Sequence, residues 1–136
     1  MTARVAIAYG AALLTMVVLD ALWLGVIAGG FYRDALGPLM ADPPNWWAAA
    51  AFYLLYPVGL MVFVVGPRLG ERASVTNLMY GALFGVIAYA TYDLTNLATL
   101  RGFPTALALL DMLWGAVITA DATGAALIAA RLVGRG

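Results

Sequence analysis

Four long apolar runs dominate the sequence, separated by short stretches rich in proline, glycine and charge. The first extends from about residue 5 to 29, the second from 46 to 65, the third from 75 to 100 and the fourth from 105 to 132. A helix needs about 20 apolar residues to cross a bilayer, and each run is long enough. The pattern therefore predicts an all-α fold, an integral membrane four-helix bundle occupying residues 1–136 as a single transmembrane domain. The first run is too long for the apolar part of a leader peptide, and Asp20 and Trp23 interrupt its end, so a retained helix is expected. Between the first two runs, residues 31–40 suit a short interfacial helix. Pro43-Pro44-Asn45 then resets the chain before Trp46 and Trp47, which suit the aromatic belt of a membrane surface. Pro57 and Gly59 are expected to kink the second run.

The polar positions inside the runs carry most of the remaining information. Tyr89, Tyr92, Asp93 and Asn96 follow i, i+3, i+4, i+7 spacing, so two phenols, a carboxylate and a carboxamide share one face of the third helix. The same helix carries Gly81 and Gly85, a small-xxx-small pattern that permits close helix contact. The fourth run presents a face of mostly small residues through Gly115, Ile118, Ala122 and Ala126, with Asp111 at its start and Asp121 on its flank. Leu19-Asp20-Ala-Leu22-Trp23 in the first run is echoed by Leu110-Asp111-Met-Leu113-Trp114 in the fourth.

Composition narrows the chemistry. Hydrophobic residues make up 65% of the chain and charged residues only 10%, against about 25% charged in soluble domains, and the mean hydropathy is +0.95. There is no histidine, cysteine or lysine. The usual ligands for zinc, haem and copper are thus missing, no cofactor motif is present, and no basic patch exists to hold nucleic acid. The seven arginines are unevenly placed. Arg4, Arg68, Arg72, Arg131 and Arg135 fall at one end of the predicted bundle, Arg33 and Arg101 at the other. That bias predicts both termini in the cytoplasm.

Counting from the opposite, outer boundary at about 1.5 Å per residue, Asp20, Asp93 and Asp111 all lie about 10–14 Å deep. Trp23, Trp114, Tyr89, Tyr92 and Asn96 lie near that level, and Asp121 lies about 15 Å further in. Acids within membrane helices are costly and mark functional positions by default. One shared site in the outer half is therefore expected, with Asp121 as the inner end of a proton path. The alternative is that these acids tie helices together through Trp, Tyr and Asn donors, each bond contributing about 0.6–2 kcal/mol.

Several stretches resemble a known family. They are Asp20-Ala-Leu-Trp23-Leu-Gly25, Phe31-Tyr32, Pro44-Asn45-Trp46, Phe52-Tyr53-Leu-Leu-Tyr56, Asp111-Met-Leu-Trp114-Gly115 and, above all, the run from Gly85 through Tyr92-Asp93-Leu-Thr-Asn96 to Leu100. Together they are similar to the predicted membrane-protein family catalogued as domain of unknown function 2177. The resemblance implies a small bacterial membrane protein, hence the inner membrane, and no particular activity.

Three functions fit these residues. The favoured one is binding, and by extension transport, of a proton, a cation or a cationic, lipid-like molecule. Its ligand residues would be Asp20, Trp23, Tyr89, Tyr92, Asp93, Asn96, Asp111 and Trp114. A second is an enzyme acting on membrane lipids, less favoured because no nucleophilic Cys or His is present, and in which the acids would hold a hard cation. A third is an accessory subunit whose small-residue faces dock a membrane-protein partner or a second copy.

Overall fold

A computed structural model describes residues 2–135, and all its regular structure is helical. Helix α1 spans Ala3–Leu22 and continues as a π-helical turn, Trp23–Ile27. A short helix α2, Gly29–Leu36, follows, with a 3-10 turn at Gly37–Leu39. Helix α3 spans Trp46–Leu60 and ends in a second π-helical turn, Met61–Val65. Helices α4, Val75–Thr99, and α5, Thr105–Val133, complete the chain.

Helices α1, α3 and α4 start where a side chain supplies a partner for a free N–H group. The Thr2 hydroxyl accepts from the Val5 N–H, Asn45 Oδ1 from Ala48 and the Ser74 hydroxyl from Asn77, at 3.2–3.3 Å. Helix α5 starts directly after Pro104, whose missing N–H leaves no donor there to satisfy. A glycine stands directly after the second π turn, at Gly66, and one residue further on after the first, at Gly29. A side chain at Gly29 would strike the Leu24 carbonyl, and one at Gly66 the Met61 carbonyl, so the widened turns close only against a bare Cα. Pro57 lies inside α3 without ending it.

Among the described residues, three helical stretches are long and apolar enough to cross a membrane: Ala3–Ile27, Trp46–Arg68 and Thr105–Val133. Helix α4 has the length but is less apolar, because Asn77, Thr91, Asp93, Thr95 and Asn96 dilute its sequence. The fourth run expected to span is thus a long helix that lacks the hydropathy of the other three. Arg4 lies against Gly70 and Gly134, so the N-terminus, the α3–α4 connection and the C-terminus meet at one end of the molecule. We call this the terminal end and the other the distal end.

Helix α5 is the centre of the packing, with α4 on one side and α1 on the other. Gly81 and Gly85 let α4 press directly on α5: a methyl group at Gly85 would sit 2.1 Å from the Gly115 carbonyl oxygen, and one at Gly81 2.2 Å from the Thr123 hydroxyl. Gly115 in turn leaves room for the Tyr89 ring. The small residues of the third and fourth runs at Gly81, Gly85 and Gly115 therefore pack against one another within the chain. Helix α3 is the loosest member. It packs along α1 and comes close to α4 and α5 through its π-helical end. The apolar core, including Met16, Leu60, Val65, Ile118 and Leu127, fills the terminal half, and polar side chains cluster in the distal half.

Candidate functional site

At the distal end a cavity of about 290 Å³ opens between α1, α2, α4 and α5. Asp20, Asp93 and Asp111 all line it, as do Trp23, Trp114, Tyr89 and Tyr92. Seven of the eight residues expected to form one site thus share one cavity. Asn96 does not line it and is only half-buried on α4. Asp121 is exposed on the outward stripe of α5 that also carries Leu113, Val117 and Ile128, apart from the cavity.

The three carboxylates are at one level but are not equivalent. Asp20 is saturated: Oδ2 accepts from the Tyr53 hydroxyl at 2.5 Å and Oδ1 from Trp114 Nε1 at 2.8 Å. Asp111 is half satisfied, with Oδ1 accepting from the Tyr32 hydroxyl at 2.7 Å. Asp93 has nothing. It is fully buried, and no donor reaches either of its oxygens. Its closest ionisable neighbour is Asp111, within side-chain contact across the cavity.

The two echoing motifs meet here. The Trp23 and Trp114 rings stack at 4.4 Å with planes 5° apart. Trp114 donates directly to Asp20, whereas Trp23 donates to the Tyr32 hydroxyl at 3.2 Å, and Tyr32 relays the bond to Asp111. One half of the arrangement is direct and the other passes through a phenol. Burial raises the Tyr32 phenol above its usual range, so it stays a neutral O–H donor. Tyr32, with Leu36 and Met40 beyond it, brings α2 and its following turn across the distal mouth of the cavity.

Tyr32 and Tyr53 were not among the expected site residues. Tyr53 was within reach of the depth argument, since it lies seven residues into α3, counted from Trp46, as Asp111 lies seven residues after Pro104. Tyr32 belongs to a connecting stretch, and no helical spacing ties it to the acids.

Chemically, the cavity presents two facing acids, Asp93 and Asp111, between aromatic walls. Among the described residues no three acids converge tightly enough to hold a metal ion, because Asp20 is turned to its own donors. The π faces of Trp and Tyr attract positive charge, and no lysine or histidine exists in the chain to neutralise the pair.

A helical membrane protein with an acid-lined cavity between its helices is the class this fold and geometry define. The family model for "Predicted membrane protein (DUF2177)" matches residues 5–128, and the chain belongs to that family. No curated protein and no solved structure matches it.

Proposed function

We propose that this protein is a four-span inner-membrane protein of bacteria, with both termini in the cytoplasm, that binds one positive charge between Asp93 and Asp111. The charge is a proton, a monovalent cation or the cationic group of a larger molecule. Asp93 carries the reading. A buried carboxyl group with no donor on either oxygen, facing a second carboxyl group, lacks the partner that buried charges require. One positive charge between the two supplies it. Asp20 holds α1 to α3 and α5 through Tyr53 and Trp114 rather than contributing ligand oxygens. Trp23, Trp114, Tyr89 and Tyr92 supply the walls.

The orientation rests on five arginines at the terminal end against two at the distal end. The fourth span rests on the length of α4 and on its close packing along α5.

Purified protein in neutral-lipid nanodiscs tests the binding. Sodium, potassium and methylammonium are titrated by calorimetry, and the infrared band of protonated carboxyl groups is followed in their absence. The reading expects either a bound cation or a carboxylic acid proton that disappears in Asp93→Asn. Cation binding unchanged in Asp93→Asn, or two ionised acids with nothing bound, overturns it.

A further inference from the structure

A second cavity, of about 350 Å³, adjoins the first and is lined by Phe52, Tyr56, Ala88, Tyr89, Tyr92 and Asp111. The two share Tyr89, Tyr92 and Asp111, so the carboxylate stands at their junction. Everything else around the second cavity is aromatic or methyl. It lies where α3 and α4 do not pack together: along this stretch only long side chains bridge the gap, with Tyr56 edge-on to both Phe84 and Tyr89. Phe52 and Tyr92, at 39% and 55% exposure, stand at its lipid-facing edge. Tyr56 is held by the Thr119 hydroxyl at 2.8 Å, which fixes the inner wall.

We propose that the ligand of the Asp93–Asp111 site is an alkylammonium amphiphile. Its cationic head sits between the two acids and its apolar chain lies in the second cavity, reaching the bilayer between α3 and α4. This rests on the cation-binding reading above and adds the chemical class of the ligand. Three observations support it. The two cavities adjoin and share a carboxylate, Asp111, in their walls. The second is large enough for part of a small molecule, within the usual range of about 300–1,000 Å³. Apart from Asp111 and the hydroxyls of its three tyrosines, its lining is hydrocarbon. An inorganic cation or a proton would use the first cavity and leave the second without a role.

The test uses the full-length protein in phosphatidylcholine nanodiscs. Methyl-, butyl-, hexyl- and octylammonium are titrated by calorimetry, with Asp93→Asn nanodiscs as the blank for partition into lipid. Affinity is expected to rise about three- to fourfold per added methylene until the cavity is full. Ala88→Trp, which fills the cavity from α4, should flatten that series. A flat series in the wild type, with methylammonium still bound, overturns this inference and leaves the cation site standing. If methylammonium and the alkali cations all fail to bind and no carboxylic proton is seen, the underlying reading falls as well. Steepness unchanged in Ala88→Trp refutes the placement of the chain. Should that variant not fold, the wild-type series alone decides.

Discussion

Matched alanine substitutions at Asp20 and Asp93 separate an acid held by two donors from one that has none. Both acids lie on long helices, so each change to alanine gains a similar helix propensity, about 0.5 kcal/mol, and removes the same volume. The hydrogen bonds differ. Asp20→Ala leaves the Tyr53 hydroxyl and the Trp114 indole N–H without their acceptor. At about 0.6–2 kcal/mol for each intramembrane bond, the two together amount to about 1–4 kcal/mol. Asp93→Ala removes no donor contact, since none exists, and it relieves the contact with Asp111. Its stability should stay within about 1 kcal/mol of wild type or rise. Helical circular dichroism on heating, in ligand-free detergent micelles, reads the difference. At about 3 °C per kcal/mol, and net of the propensity gain, Asp20→Ala should melt roughly 2–10 °C lower, whereas Asp93→Ala should melt at most about 3 °C below wild type or above it. The reasoning fails if Asp93→Ala loses as much as Asp20→Ala, because Asp93 would then have donors that the geometry denies it.

Other outcomes follow from the packing and the relay. Gly85→Ala should destabilise by about 1–3 kcal/mol or more, because the new methyl group meets the Gly115 carbonyl, a backbone atom that cannot turn aside. Gly10→Ala, with nothing within 4 Å, should gain up to about 1 kcal/mol in the same melting assay. Tyr32→Phe should break the link between Trp23 and Asp111; the Trp23 indole N–H resonance in a nitrogen-15 spectrum should move while that of Trp114 stays. Asp121→Leu should raise the melting midpoint, since an exposed acid among lipid-facing Leu, Val and Ile gives way to the residue type of its surroundings. A drop in that midpoint would mean that Asp121 has a partner.

The helices, their ends and the level of the acids were legible in the sequence for simple reasons. Helix α4 begins at Val75 because Ser74 caps it, and α5 begins after Pro104. These are local features, and local chemistry decides them. Counting residues from such ends at a fixed rise put Asp20, Asp93 and Asp111 at one depth, and they line one cavity. Gly81 and Gly85 announced a close contact, but whether it was with α5 or with another protein was a question of which face met which.

Depth says nothing about azimuth or about who donates to whom, and there only the tertiary structure decided. From the sequence, Asp20, Asp93 and Asp111 look alike: each is an acid about seven to nine residues from a helix end. The fold assigns them two, no and one donors by bringing Tyr53 and Trp114 to Asp20, Tyr32 to Asp111, and nothing to Asp93. The π turn at Trp23 and the close α4–α5 contact set those directions, and neither can be read from spacing alone. Asp121, ten positions from Asp111 on the same helix, stands about 80° round from it at 3.6 residues per turn, and it is exposed. Apolar periodicity and helix ends determined where the acids stand in depth. Side-chain donors carried in from other helices determined which of them is left without a donor.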